Sequence, residues 1–395
     1  MRVLLFTGKG GVGKTTTAAA TAALAAARGR KTLVLSTDTA HSLADAFGVT
    51  IGAEPTEVDT GLYAVQVDTQ AAFERTWRDV QDYLCGVLER AGVDALQAEE
   101  LTVLPGAEQV LALLELRRQV ASGRFDLVVV DCAPTGETLR LLALPEALRW
   151  YVEKVFPSQR RALRAVRPLL SRVSGPAVPH DSVFDAVSRL HAELSEVREL
   201  LTAPTTSVRL VLTPEAVVVA EARRTLTSLA LYGYRVDGLV ANRVFAASAS
   251  GDGWTAGWVA AQQEQLEAVR RDTAPLPLLE SIYAPGEPVG LEALTDLGAA
   301  LYGDADPTGS GPGQELVAVT RDRDGFLLSV ALPLARLEDV DLARSGDELV
   351  VTIVGHRRLL ELPSALRRCT VGGARLVSGR LVVRFEPDPS LWPQP

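Results

Sequence analysis

Short apolar runs alternate with longer amphipathic stretches over residues 1–302. Several of the runs are continuously apolar, as in residues 127–130, which is typical of strands buried on both faces of a parallel sheet. Helical patterns lie between them, so we predict an α/β fold with a doubly wound, mostly parallel sheet. The predicted strands cover residues 2–7, 32–37, 62–67, 126–131, 207–213 and 236–241.

Two stretches, about 70–100 and about 145–201, are helical for longer than a single crossover requires, and we predict that they form an inserted helical subdomain. Apolar residues recur at helical spacing within 72–93. Such a stripe is typical of internal packing, and a groove for an apolar client helix is the alternative. Residues 154–172 carry six positive charges and no acidic residue, which indicates a solvated face, and peripheral membrane contact through anionic lipid, or contact with an acidic partner, is the alternative.

The pattern changes beyond residues 303–313, a run dominated by Gly, Pro, Asp and Ser that we interpret as a linker. Short strand-like runs at close spacing then predict a small all-β sandwich over residues 314–387, followed by a frayed tail at 388–395. The predicted strands of this second domain cover residues 316–320, 325–331, 348–354, 357–362 and 380–385.

Composition narrows the class of protein. The 395 residues carry 40 Lys and Arg against 49 Asp and Glu, a formal charge of −9, which argues against nucleic acid as a partner. The three cysteines, Cys85, Cys132 and Cys369, are odd in number and far apart, so we expect no disulfide framework and a cytoplasmic location. No apolar stretch reaches the roughly 20 residues that a membrane span needs.

The strongest motif follows the first predicted strand and opens an alanine-rich helix. The segment reads GKGGVGKTT and matches G-x-x-x-x-G-K-[ST]. Its backbone N–H groups and the helix N-terminus favour bound phosphates. Lys14 is expected to reach the β- and γ-phosphates and Thr15 to bind Mg²⁺. The predicted nucleotide-binding residues here are Gly8, Lys9, Gly10, Gly11, Val12, Gly13, Lys14, Thr15 and Thr16.

Two further segments, 36–47 and 131–140, follow apolar runs whose carboxyl ends should lie beside this loop. Asp131 ends its strand, and we expect it to hold Mg²⁺ directly or through water. Asp38 is placed to orient or deprotonate the attacking water. A helix N-cap is the alternative role for Asp38.

These three segments together resemble the ArsA-type anion-transporting ATPases, a family that includes the arsenite pump ATPase and the ATPase that delivers tail-anchored membrane proteins. The resemblance covers about residues 1–302 and implies a P-loop ATPase that uses ATP and Mg²⁺. By this resemblance Asp38 is the catalytic carboxylate, assisted by Lys9 and Lys14. The second-switch residues it implies near the nucleotide are Pro134, Thr135 and Gly136.

The resemblance also implies a homodimer and a site for the adenine base of ATP. The loop has the deviant form with an extra lysine, which implies that Lys9 reaches the partner's nucleotide in a homodimer, although a solvated lysine is the alternative. Asn242, followed by Arg243, matches the asparagine that recognises adenine, and an ordinary strand-end asparagine is the alternative. Residues 275–287 resemble the loop that closes over the base.

Departures from the family limit what can be carried over. Residues 250–258 lack cysteine and histidine, so we expect no zinc between subunits, and Trp254 and Trp258 are the candidates for that dimer contact. Three scattered cysteines do not suit arsenite, which needs clustered thiols. Residues 314–387 resemble an α-crystallin (small heat-shock protein) domain, since 374–381 fit A-x-x-x-n-G-x-L.

The resulting hypothesis is a Mg²⁺-dependent ATPase, switched as a homodimer, that captures and releases a protein client in chaperoning or membrane-protein targeting. The client would be an apolar helix or an unfolded segment. The main alternative is the energy-coupling ATPase subunit of an anion transporter. A partitioning ATPase of the ParA/MinD type is a more distant alternative. Such a protein would bind DNA or membrane in its ATP form, and the acidic charge and the AHSL segment of this chain count against it.

Overall fold

A computed structural model describes residues 1–37, 42–67, 107–133, 135–136, 181–246, 253–311 and 315–391. The predicted helical subdomain falls largely outside these residues, as do Asp38, Pro134 and the basic stretch 154–172. The described chain forms a large mixed sheet with helices, followed by a small antiparallel β part. Both predicted fold classes are therefore confirmed.

The large sheet orders its strands β3-β4-β2-β5-β1-β6-β7-β8. All neighbouring pairs are parallel except β3 with β4. Strand β1 lies between β5 and β6, so the loop that leaves its carboxyl end faces a crevice of the kind that binds ligands in open α/β sheets. The strands are β1 Arg2–Thr7, β2 Thr32–Ser36, β3 Thr56–Asp59, β4 Leu62–Gln66, β5 Leu127–Asp131, β6 Thr206–Leu212, β7 Val236–Val244 and β8 Leu278–Ile282.

Apolar side chains on the two faces of this sheet enter two separate cores. In β1, Leu4 and Phe6 point to one core and Val3 and Leu5 to the other, because successive strand residues face opposite sides. Helices α1, α6 and α7 cover the first face and α3 and α4 the second. The helices are α1 Lys14–Ala27, α2 Ser42–Phe47, α3 Ala107–Ala121, α4 Asp181–Thr202, α5 Ala216–Tyr232, α6 Gly253–Thr273 and α7 Leu291–Tyr302.

The β part is a sandwich of two antiparallel sheets, with strand orders β14-β15-β10-β9 and β11-β12-β13. Leu328 and Phe385 of one sheet share a buried core with Val351 and Leu360 of the other. The elements are β9 Val317–Asp322, β10 Gly325–Ala331, a 3₁₀ turn at Leu337–Asp339, β11 Val340–Ser345, β12 Glu348–Ile353, β13 His356–Glu361, a short helix α8 Ser364–Arg367, β14 Cys369–Val377 and β15 Arg380–Pro387.

The β-sandwich packs directly on helix α5 of the first part. Leu231, near the end of α5, is fully buried in the sandwich core. The buried guanidinium of Arg358 donates to the carbonyl oxygen of Leu231, and the hydroxyl of Thr227 donates to the carbonyl of Pro333. A cation at a helix C-terminus is favourable both as a hydrogen-bond donor and against the helix dipole.

The segment that follows α7 is bonded to the opposite end of the sheet from the phosphate loop. Buried Arg209 donates to the carbonyl oxygens of Pro307 and Gly309, at 2.7 and 3.2 Å, and pairs with Asp237 at 3.3 Å. The guanidinium of Arg2 joins the same Asp237 at 2.9 Å. Part of the predicted linker, residues 307–309, is therefore held by the buried side chain of Arg209 and by Arg2, which donates to the carbonyl oxygen of Thr308 at 3.2 Å.

No helix in the described part of the chain is long and apolar enough to cross a membrane.

Candidate functional site

The loop between β1 and α1 is shaped by two glycines. A Cβ at Gly8 would lie 2.1 Å from the carbonyl oxygen of Val211, so only glycine allows β6 to pass this close. Gly13, at φ 91°, has the left-handed conformation and forms the N-cap of α1 without a side-chain capping bond. The first N–H groups of α1 are therefore left without a side-chain cap, which suits a phosphate group.

Lys14 lies at the first position of α1 and is buried, with only 6% of its surface exposed. Its ammonium donates to the carbonyl oxygen of Lys9 at 3.3 Å, across the loop. The side chain therefore spans the concave side of the loop, where phosphates of a nucleotide would lie.

The two predicted magnesium ligands lie in contact. The hydroxyl of Thr15 donates to Asp131 Oδ2 at 2.7 Å, and Asp131 is completely buried at the end of β5. Two serines that the sequence reasoning missed extend this cluster. Ser36 Oγ donates to the same carboxylate oxygen at 3.3 Å, and Ser42 Oγ lies 3.2 Å from Thr15 Oγ1.

This donor set fits Mg²⁺. The cluster consists of oxygen atoms only and contains one carboxylate, and Mg²⁺ is usually held by one or two carboxylates together with substrate phosphates and water. Among the described residues, no three His, Cys, Asp or Glu side chains are placed to hold a metal ion together, so this set does not resemble an all-protein metal cage. A bound Mg²⁺ would neutralise charge on the β- and γ-phosphate oxygens of ATP.

The starts of the two switch segments are tied together by Thr37. Its backbone N–H donates to the carbonyl of Asp131 at 2.9 Å, and its hydroxyl accepts from the N–H of Ala133 at 3.1 Å. Beyond them, the backbone N–H of Thr135 bonds the carbonyl of Gly8 at 3.3 Å, and the Thr135 side chain is buried. Gly136 follows it at an exposed position. A shift in either segment therefore reaches the phosphate loop through the backbone.

Asn242 lies beside the phosphate loop at an irregularity in β7. The register with β8 shifts between Ala241 and Val244, and Arg243 has a positive φ of 57°. The side-chain amide of Asn242 donates to the carbonyl of Val12 at 2.9 Å. Buried Gln262 supports the irregular turn, because it donates to the carbonyl of Arg243 at 3.1 Å. Adenine recognition by Asn242 stays a prediction.

The segment predicted to close over the base, 275–287, contains strand β8. Tyr283, just past that strand, is 53% exposed and stacks edge-on against Phe245 with ring centroids 5.7 Å apart. Part of the predicted loop is therefore fixed in the sheet, and the residues that follow it lie at the same sheet edge as the phosphate loop.

Lys9, the extra lysine of the loop, lies at its outer side. Its Nζ is 3.8 Å from Glu221 Oε2 on α5, and both side chains are partly exposed. The sequence reasoning missed Glu221, since a glutamate on an amphipathic helix gives no sign of a contact over two hundred residues away.

The described cysteines lie in different cores. Cys132 follows Asp131 in the large domain, and Cys369 belongs to the β-sandwich. Burial is the main effect that raises the pKa of the Cys132 thiol, and the negative charge of Asp131 raises it further. Neutral thiols in separate cores do not form the clustered thiolate site that a metalloid would require.

Trp254 and Trp258, in the first turns of α6, form an exposed pair. They are 72% and 45% exposed, and their rings meet edge-on with centroids 6.1 Å apart. Their role in a dimer stays a prediction.

Comparison with known proteins agrees with this geometry. Residues 1–303 match the family model of the anion-transporting ATPase, and residues 323–385 match an HSP20-like domain found in ArsA. Two similar proteins span nearly the whole chain. One is a putative arsenical pump-driving ATPase of Chlorobaculum tepidum, 37% identical over 98% of this chain and 96% of the relative. The other is an uncharacterized protein of Streptomyces coelicolor, 41% identical over the full length of both.

A third relative matches less of the chain. It is an ATPase ASNA1 homolog of Cryptosporidium parvum, 31% identical over 70% of this chain and 71% of the relative. The match covers 280 residues, fewer than the 303 of the first domain model.

Proposed function

Because the chain belongs to the anion-transporting ATPase family, we propose that it works as a nucleotide-switched homodimer that captures and releases a protein client. ATP hydrolysis is the reaction of this family, and the chain is an ATP hydrolase. The homodimer, the use of Mg²⁺, the client and a cytoplasmic location are the proposed parts.

In the proposed reaction, Thr15 and Asp131 hold Mg²⁺ and Lys14 neutralises charge on the β- and γ-phosphates. Their contact at 2.7 Å supports the first pair, and the position of Lys14 across the loop supports the second. Asp38 takes the proton of the attacking water. Lys9 of one subunit offsets negative charge that develops on the partner's transferred phosphoryl group.

The observation that carries the client role is the docking of the HSP20-like part on α5. The same helix contacts the phosphate loop through Glu221 and the β-sandwich through Thr227 and Leu231. Making or breaking the contact at Glu221 therefore changes the charge environment of the same helix that carries the β-sandwich. This arrangement supports a mechanism in which ATP hydrolysis changes how tightly the HSP20-like part binds a client.

The experiment is a client trap. Asp38→Asn should bind ATP and hydrolyse it slowly, so a client held in the ATP form should co-purify with it. Asp45→Asn is the matched control, because it removes an exposed carboxylate from the following helix α2. Proteins with one C-terminal apolar helix, enriched only in Asp38→Asn, would support membrane-protein targeting. Enrichment of diverse soluble chains would support chaperoning.

Two other results contradict the proposal. If Asp38→Asn holds ATP as a dimer and enriches nothing beyond the Asp45→Asn control, the client role is wrong. If one membrane permease is enriched, the second candidate function is favoured, the energy-coupling ATPase of an anion transporter. The naming of full-length relatives as putative arsenical pump-driving ATPases supports that candidate, and stimulation of ATP hydrolysis by an oxyanion would test it.

A further inference from the structure

The contact between Lys9 and Glu221 places the extra lysine of the phosphate loop against its own subunit. Lys9 Nζ lies 3.8 Å from Glu221 Oε2, with 40% and 31% of the two side chains exposed. Glu221 lies in the second turn of α5, which begins just after β6 at the carboxyl edge of the sheet. Lys9 therefore folds back across the edge of the sheet.

The surroundings of the pair limit where this lysine can go. The backbone of Lys9 is held from inside the loop by the ammonium of Lys14. Residues Gly8, Val218 and Thr225 line a crevice between the loop and α5 that is too narrow to admit water. The loop and the helix are thus packed together, so the Lys9 side chain, which is partly exposed, is the part that can swing away.

The carboxylate itself sits on a fixed element. Ten residues separate Glu221 from Leu231, about 15 Å along an α-helix. At that far end the β-sandwich holds α5 through Arg358 and through the bond from Thr227 to Pro333. Breaking the ion pair therefore requires the lysine to move, because the helix is anchored at its other end.

We propose that Glu221 is a positioning residue for Lys9: it holds the ammonium on its own subunit as long as the subunits are separate, and it releases the ammonium when two ATP-loaded subunits meet. This inference rests on the proposed function, in which Lys9 crosses to the partner's phosphates. Two lysines must leave their glutamates for each dimer that forms, so the pair opposes dimerisation until the phosphates replace the carboxylate as partner.

The size of the effect follows from the exposure of the pair. A partly exposed ion pair shifts an equilibrium by about two- to fivefold. Since a symmetric dimer breaks two such pairs, removing the Glu221 charge should strengthen dimerisation by the square of that factor, about four- to twenty-five-fold. High salt should reduce the difference, because it screens an exposed pair.

The first measurement uses the ATP-free protein. The chain has four lysines, so acetylation by an N-hydroxysuccinimide ester can be followed at each one by mass spectrometry, with exposed Lys31 as the internal reference. Glu221→Gln should raise the acetylation rate of Lys9 about two- to fivefold relative to Lys31, because the amine leaves the helix surface. Glu215→Gln, at the N-cap of the same helix, is the matched control and should change nothing. Glu221→Asp should move the rate back toward wild type.

The second measurement is the dimer dissociation constant in saturating Mg·ATP, by sedimentation equilibrium. Glu221→Gln should lower it about four- to twenty-five-fold and Glu215→Gln should leave it unchanged. An unchanged Lys9 acetylation rate in Glu221→Gln overturns the holding step. If the wild type dimerises with ATP and Glu221→Gln dimerises no more tightly, the release step is wrong. If the wild type shows no ATP-dependent dimer, both the proposed function and the release step are wrong. The acetylation rates then still decide whether Glu221 holds Lys9.

Discussion

The packing of α1 on α7 leads to a prediction whose sign can be worked out from the structure. The two helices approach most closely at Gly298. A Cβ there would lie 2.5 Å from the carbonyl oxygen of Ala20 and 2.9 Å from the Cβ of Leu24. Both of these atoms are fixed to the backbone of α1, so no side-chain rotation can relieve the contact. The variant to test is Gly298→Ala.

Two opposing effects determine how Gly298→Ala changes the free energy of unfolding. The Ala20 oxygen would have to retreat about 0.9 Å to reach the 3.4 Å of ordinary van der Waals contact. Overpacking of this kind costs about 1–3 kcal/mol, and a backbone contact favours the upper half of that range. Alanine recovers about 1 kcal/mol as the better helix former. Gly298→Ala should therefore lower the free energy of unfolding by about 1–2 kcal/mol.

Gly257→Ala is the matched control. Gly257 is an exposed residue inside α6, and a Cβ there meets nothing within 4 Å. The same substitution should therefore stabilise the protein by about 0.5–1 kcal/mol. Urea unfolding followed by circular dichroism would measure both, and we expect the variants to differ by about 1.5–3 kcal/mol with opposite signs relative to wild type.

A second readout connects this packing to the site. Helix α1 begins at Lys14 and carries Thr15, so a displacement of the helix also moves these two residues of the predicted nucleotide site. Gly298→Ala should weaken the binding of a fluorescent ATP analogue, and Gly257→Ala should not. If Gly298→Ala proves as stable as Gly257→Ala, the close approach of α1 and α7 is refuted, and with it the reasoning that they act as one packed unit.

Three further predictions concern the site and the β-sandwich. Gly8→Ala should weaken ATP binding about tenfold or more by calorimetry, because its Cβ would lie 2.1 Å from the Val211 carbonyl oxygen, while Gly52→Ala, at an exposed position outside the loop with nothing within 4 Å, should bind normally. Asp131→Asn should reduce ATP affinity in Mg²⁺ to the value measured in EDTA, and a retained Mg²⁺ effect would contradict its role. Burial lowers the pKa of His356 below its ordinary 6.5, so the folded state binds the proton less well and stability should be lost as the pH falls below about 6.5. His356→Gln should flatten the pH dependence of the unfolding midpoint between pH 7 and 5, and an unchanged slope would show that this histidine is not responsible.

Local pattern was sufficient to predict the central strands, and it places the candidate phosphate loop between β1 and α1. Strand β1 runs over the predicted residues 2–7, because it is buried and apolar over most of its length, and β10 runs over the predicted 325–331, where apolar residues predominate. The phosphate loop is also encoded locally, since its glycines and Lys14 act within eight residues of one another. Such features depend on a short piece of chain and can be predicted from it.

Three of the edge strands, β3, β11 and β14, were missed for the opposite reason. Strands β3, β11 and β14 are largely exposed, so their residues show little apolar periodicity. In β14, Gly372 and Gly373 also interrupt the pattern at a register shift. A strand of this kind forms because its neighbour offers hydrogen bonds, and that neighbour is not visible in the strand's own residues.

The sequence by itself determined the fold class. It also predicted that the loop between β1 and α1 and the Thr15–Asp131 pair belong to one nucleotide site, because such sites are built from motifs at the carboxyl ends of predictable strands, and the structure places Thr15 and Asp131 in contact. Only the tertiary structure decided which other side chains meet them. Glu221 reaches Lys9, Ser42 reaches Thr15, and Arg358 reaches the end of α5 across long separations in the chain. These contacts depend on how strands are ordered and how helices pack, and a polar residue on an amphipathic element carries no sign of the partner that folding brings to it.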